Sequence, residues 1–181
     1  GEHDDRAQPT AALNDSFPNV VTYGSRSGTN TFTNITALFD GTFTPTYTGT
    51  NLSLQLGTNT NTWLFDGSDS WLNTARWSQG HTPTTLEDVV IPDYTTQFTV
   101  SIPSGAQVAK SIVVQGDDIF AVNGGSFTFT DASTISNGTL NVAGGTVTAN
   151  GSLTAKNLNL SAGTLSGLGN LTVTNAFSQT S

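Results

Sequence analysis

Along most of the chain, apolar and small polar residues alternate with a period of two, and Gly or Asn-Gly breaks the alternation every few positions. β-Branched and aromatic residues in such a pattern, bounded by Gly, Asn and Asp, predict short strands. The clearest are residues 31–33, 43–47, 52–56, 98–102, 127–129, 140–142 and 171–173. Helical periodicity is almost absent, and the one helix-like stretch, residues 72–77, is very short.

A repeat is superimposed on the alternation. Ile135, Leu153 and Leu171 recur every 18 residues; Leu140 and Val142 return 18 later as Leu158 and Leu160, and Val147 as Leu165. Gly145-Thr146 returns as Gly163-Thr164, Asn141 as Asn159 and Asn157 as Asn175. Upstream the period lengthens to 20, with Val122 matching Val142, and Phe177 follows Leu158 by 19. A fixed period near 20 marks one supersecondary unit stacked on its neighbours. It is too short for a helical pair, but three short strands and three corners fit. Ordinary hairpins turning at Asn137-Gly138 and Asn150-Gly151 compete with this reading, but they do not require the same apolar residue every 18 positions. The expected fold is therefore all-β: a right-handed parallel β-solenoid of about 18–20 residues per coil, preceded by a small antiparallel β element. Its core ladder is expected to comprise Ile135, Leu140, Val142, Val147, Leu153, Leu158, Leu160, Leu165, Leu171 and Val173, each contributing roughly 1.5–3 kcal/mol on burial.

The pattern divides the chain into four parts. Residues 1–18 are polar and aperiodic and read as a flexible leader. Residues 19–60 carry longer alternating strands, with aromatics at Tyr23, Phe32, Phe39, Phe43 and Tyr47 and turns at Asp40-Gly41 and Thr48-Gly49. They read as an antiparallel meander or the closing segment of a preceding solenoid. Residues 61–105 form a Trp-rich N-terminal cap with the first strands, and residues 106–181 form the regular solenoid.

Composition narrows the partners. Only 10% of the 181 residues are charged, and 5 Lys+Arg against 13 Asp+Glu give a formal charge of −8. Phosphate-backbone binding needs clustered cations, so nucleic acid is not an expected partner, nor is an anionic lipid surface. No apolar run approaches the roughly 18 residues of a membrane helix, and no signal peptide is visible. The chain contains no cysteine, which suits an oxidising compartment and leaves packing and hydrogen bonds to hold the fold.

Catalytic patterns are missing. His3 lies in the acidic leader and His81 in a loop. Neighbouring Glu87 and Asp88 point to opposite faces of a strand. Asp117-Asp118 resembles the start of an acidic groove, but residues 119–181 hold only one further acid, Asp131. No enzyme, cofactor or metal site is therefore expected. The three tryptophans, Trp63, Trp71 and Trp77, with Tyr94, have two readings: rings that stack on sugars, or a cap over the first coil. The cap is the stronger expectation.

The stretch Trp71-Leu-Asn-Thr-Ala-Arg-Trp77-Ser-Gln-Gly80, followed by Pro83 and Glu87-Asp88-Val89-Val90-Ile91-Pro92, resembles the opening of parallel β-helix modules in large exported bacterial proteins. These are the autotransporter-passenger-like and filamentous-haemagglutinin-like adhesins. The Gly-Gly-Thr-Val-Thr and Ala-Gly-Thr-Leu-Ser phrases are similar to the bodies of such helices, and residues 20–28 and 43–56 to the close of a preceding unit. The resemblance implies a non-enzymatic structural or adhesive segment of an extracellular, cell-surface bacterial protein. It also implies that the chain, in which Ser181 falls in mid-pattern, holds the tail of one repeat and the head of the next, and so reads as a junction between repeats. Its partners would be neighbouring repeats or further copies of itself. An alternative is a subunit of a filament built by end-to-end stacking, and a third reading is a carbohydrate-binding module for surface glycans.

Overall fold

The computed structural model describes residues 16–22, 43–48, 51–56 and 59–180, in two compact units, Gly1–Asn59 and Thr60–Ser181. The strand expected at residues 31–33, the aromatics Tyr23, Phe32 and Phe39, the turn at Asp40-Gly41 and most of the leader lie outside the described residues.

In the first unit, β1 (Ser16–Thr22), β2 (Phe43–Tyr47) and β3 (Asn51–Leu56) form an antiparallel sheet in the order β1-β3-β2. This is the expected antiparallel element, although β3, not β2, lies in the middle, unlike a simple meander. Its hairpin closes where Thr48 N donates to Asn51 O and Asn51 N donates to Thr48 Oγ1, both at 2.8 Å. The first strand begins at Ser16, inside the stretch read as leader.

The second unit is a parallel β-solenoid of about five turns. It begins with β4 (Thr60–Thr62) and β5 (Asp69–Ser70), followed by the 3-10 turn η1 (Thr74–Arg76). Full coils follow: β6 (Asp88–Ile91), β7 (Thr99–Ile102) and β8 (Ala106–Ala109), then β9 (Ser111–Val114), β10 (Ile119–Val122) and β11 (Ser126–Phe129). From there the first two strands of each coil merge around a bent corner. These are β12 (Ser133–Val142) with β13 (Thr146–Ala149), β14 (Leu153–Leu160) with β15 (Thr164–Ser166), and β16 (Leu171–Gln179). Three parallel faces result. The first stacks β4, β6, β9 and the leading parts of β12, β14 and β16. The second stacks β5, β7, β10 and the trailing parts of the same long strands. The third stacks β8, β11, β13 and β15.

Register shows how the sequence builds the core. On the second face Val100, Phe120, Leu140, Leu158 and Phe177 form one row. On the third, Gln107, Phe127, Val147 and Leu165 form another. These pairings contain the expected steps of 20, 18 and 19 residues. The first face departs from expectation. Leu153 and Leu171 pair at the expected 18-residue step, but Ile135 is not in their row; Ser133 pairs with Leu153 there, and Ile135 heads the row of Ala155 and Val173. The cause is the corner. Ser136, Asn137 and Gly138 separate the pairs Ile135–Ala155 and Thr139–Asn157, whereas Lys156 alone fills the same corner one coil later. The coil shortens there, so partners are 20 apart before the corner and 18 after it. Gly138 is buried in this bulge, where a β-carbon would collide with the carbonyl oxygen of Asp118.

Ile135, Leu140, Val142, Val147, Leu153 and Leu158 are buried, and Leu160, Leu165 and Val173 are partly buried against the same core. Leu171 is 45% exposed, because no coil follows β16 in the described structure. Ser133 occupies an inward position yet is satisfied: its Oγ accepts from Ile112 N at 3.0 Å and donates to Asp131 O at 3.1 Å. A buried hydroxyl with both bonds made costs little. Burial separates two leucines that the repeat treats alike. Leu140→Ala is expected to lower stability by about 2–5 kcal/mol and Leu171→Ala by less than about 1 kcal/mol, as read from denaturant unfolding.

Candidate functional site

All three tryptophans are buried, Trp63 and Trp71 completely and Trp77 to 2% exposure. They form a chain of edge-on contacts: Trp63–Trp77 centroids are 5.0 Å apart and Trp71–Trp77 4.6 Å. Trp71 N donates to Ser101 O, which sets the ring over the second face. There it packs edge-on at 5.2 Å from Phe127, the residue that follows Gln107 in its row, and at 5.6 Å from Phe120. Trp77 Nε1 donates to Trp71 O at 2.8 Å, while the buried Nε1 atoms of Trp63 and Trp71 have no partner. Tyr94 is half-buried, with its hydroxyl donating to Trp63 O at 2.9 Å. None of the three indoles offers an open face on which a sugar could stack; their rings are spent on the first coils of the core.

Polar groups anchor this aromatic layer. Asn61, fully buried, donates to His81 O at 3.1 Å and accepts from Gln79 N at 3.2 Å. Asp69 accepts from Arg76 Nε at 2.7 Å, Asn73 Nδ2 at 2.9 Å and Ser70 N at 2.7 Å. The Arg76 guanidinium also lies 3.8 Å above the Phe65 ring. The Arg76 hydrogen bond, then that of Ser70 N, holds the Asp69 carboxyl below its ordinary value. Glu87 is buried; its Oε2 accepts from Thr84 N at 2.6 Å, and its Oε1 lies 3.8 Å from His81 Nε2. Glu87 N donates back to Thr84 O at 3.2 Å, so the two residues close a turn in which the Glu87 carboxylate plays the part it has in a capping box. The signal was present as Thr-x-x-Glu in the sequence.

Two corners of the solenoid carry charge in opposite ways. Between the third and first faces, Lys110 Nζ lies 3.0 Å from Asp88 and 3.9 Å from Asp131, and Ser111 Oγ donates to Asp88 at 2.7 Å. That row carries its own counter-charge, one lysine shared by two aspartates. Between the first and second faces the charges are acidic. Asp118 is 1% exposed; its Oδ1 accepts from Phe98 N at 3.0 Å, while its buried Oδ2 has no partner. Asp93, one coil earlier, turns its Oδ1 toward the same place. Burial, foremost, and the charges of Asp117, Asp93 and Asp66 push the Asp118 carboxyl up, against the lowering effect of Phe98 N. Downstream of Asp117-Asp118 the sequence holds only one acid, Asp131; the acids that act on Asp118 lie upstream, at irregular spacings.

At the far end, β16 leaves Leu171 and Phe177 45% and 56% exposed, and the preceding turn leaves Leu168 92% exposed. Beside them a pocket of about 220 Å³ is lined by Ala149, Leu153, Leu165, Gly167 and Leu171 among others. Its walls are the unfilled end of the apolar core. Among the described residues no helix is long and apolar enough to cross a membrane, and no group of three or more His, Cys, Asp or Glu side chains is placed to hold a metal.

The two perturbed acids give opposite pH signatures. Asp69, with its folded-state value lowered, contributes stability above its ordinary value of 3.8, and this is lost as pH falls through the lowered value. Asp118, with its value raised, favours the folded state at acid pH and loses that contribution as pH rises from 3.8 through the raised value. In chelator-treated buffer, Asp118→Asn is expected to melt higher than the parent at pH 7 and to flatten the fall in stability from about pH 4 upward. An unchanged profile would show that the carboxyl is not strained by its burial.

No protein-family model, no curated protein and no solved structure matches this chain.

Proposed function

We propose that this chain is a non-catalytic structural segment of an extracellular, cell-surface bacterial protein, related to the autotransporter-passenger-like and filamentous-haemagglutinin-like adhesins. The observation that carries this reading is the allocation of side chains. Inward positions are spent on an apolar stack broken by few polar residues, Gln107 and Ser133 among them, and the outward rows are mostly Thr, Ser and Asn, such as Thr146–Thr164 and Asn141–Asn159. A stack of this kind extends with each added coil, because its strand pairing is between neighbouring coils. The Trp71–Pro92 stretch, which resembles the opening of such helices, folds as the aromatic start of the solenoid, as the reading requires. The absence of cysteine accords with life outside the cell.

A second reading, favoured by the exposed Leu168, Leu171 and Phe177, is that the last coil meets another β coil and so builds a filament. A head-to-tail contact of this kind need not close. Antibody raised against the purified solenoid is expected to label intact, unpermeabilised cells of the source organism, and external protease to remove the label. Labelling only after lysis would overturn the surface assignment. Electron microscopy of concentrated protein decides the second reading: filaments absent from Leu171→Asp protein support it, and monodisperse particles at all concentrations contradict it.

A further inference from the structure

We propose that Asp93 and Asp118 form a binding site for one calcium-type divalent cation at the corner between the first and second faces. The two carboxylates come from consecutive coils and converge over Gly116. Asp93 Oδ1 lies 2.6 Å, and Asp118 Oδ2 2.7 Å, from the point where a β-carbon of Gly116 would sit. The two oxygens are thus no farther apart than the sum of those distances, an upper bound close to the reach of two calcium–oxygen bonds of about 2.3–2.6 Å.

The stronger indication is Asp118 itself. Its side chain is 1% exposed, and Oδ2 is buried with no hydrogen-bond partner. An ionised carboxylate left in that state is costly unless a positive charge meets it. No described side chain supplies one. Arg76 is engaged by Asp69, Lys110 by Asp88 and Asp131, and Lys156 Nζ donates to Asn137 Oδ1 at 2.6 Å. The charges that act on Asp118 are those of Asp117, Asp93 and Asp66, all negative. Asp66 already accepts from Thr95 Oγ1 at 3.1 Å, and Gln97 Nε2 donates to Asp117 O at 2.7 Å.

The donor chemistry selects the ion. The convergent atoms are carboxylate oxygens, the chain has no cysteine, and His81 faces Glu87, so a hard oxygen-seeking cation fits better than zinc or copper. Two protein carboxylates leave the remaining positions to water and backbone carbonyls, which places the affinity in the weak range of about 10⁻⁴–10⁻³ M. Bound there, the ion would clip the corner of one coil to the next, below the tryptophan layer. The inference stands independently of the surface-segment reading.

Thermal unfolding at pH 7 tests it, with about 10 mM CaCl2 compared with EDTA at matched ionic strength. The parent is expected to melt higher by about 3–6 °C in calcium. Asp118→Asn retains an acceptor for Phe98 N and is expected to fold, to exceed the parent in EDTA, and to lose the calcium response; Asp93→Asn is expected to lose it too. Isothermal titration should give one site in the parent and none in either variant. A parent melting temperature unmoved by calcium would overturn the site, as would a calcium response that survives in the Asp93→Asn, Asp118→Asn double variant.

Discussion

Hydrogen bonding between successive coils sets the terms for the solenoid. Parallel strands in adjacent coils must sit about 4.8 Å apart, so a residue on one coil falls directly on its partner in the next. The side chain at each position is therefore judged against its equivalents above and below. Apolar residues satisfy this inside, as in the row Val100, Phe120, Leu140, Leu158. Amide residues satisfy it outside, where Asn175 Nδ2 donates to Asn157 Oδ1 at 2.8 Å. Backbone crowding at the corners follows from the same spacing, which is why Gly138 lies where no β-carbon fits beneath Asp118. When like charges from neighbouring coils converge without a counter-charge, as Asp93 and Asp118 do over Gly116, the cost falls on the buried member.

The core is graded along the axis. Tryptophans and phenylalanines fill its beginning, where Trp71, Phe120 and Phe127 meet at 4.9–5.6 Å, and Val, Leu and Ala fill the later coils. The large rings let one side chain reach beyond its own coil, so Trp71 touches Phe127 past the coil in which Gln107 holds the inward row. Polar anchors on Asn61, Asp69 and Glu87 then keep the aromatic layer in place. The coil shortens where bulky residues give way, from a 20-residue to an 18-residue step.

Much of this was legible in the sequence, because a solenoid writes its geometry as a period. The pairings Val122–Val142, Leu140–Leu158, Val147–Leu165 and Leu158–Phe177 follow directly from spacing. The Ile135–Leu153 match did not survive, since both rows on the first face carry branched aliphatics and a two-residue corner bulge moves one past the other. Spacing alone cannot place a bulge between two apolar rows. The acidic corner was hidden for a related reason: the loops that hold Asp66, Asp93 and Asp118 differ in length, so no constant interval connects them. The burial of the tryptophans was expected from their place at the start of the helix, and the polar residues that pin them carried only the faint Thr-x-x-Glu signal.

The central claim is parallel, in-register stacking of the coils, and engineered cross-linking tests it most directly. Asn141 and Asn159 are paired on facing coils, and the chain has no cysteine of its own. With both replaced by cysteine, mild oxidation is expected to form an intramolecular disulfide in high yield, read by mass spectrometry as the loss of two hydrogens. The off-register pair Asn141→Cys with Asn157→Cys should cross-link poorly, because a disulfide tolerates only a narrow separation of its β-carbons. Failure of the first pair to close, or equal closure of both, would contradict the stacked-coil account.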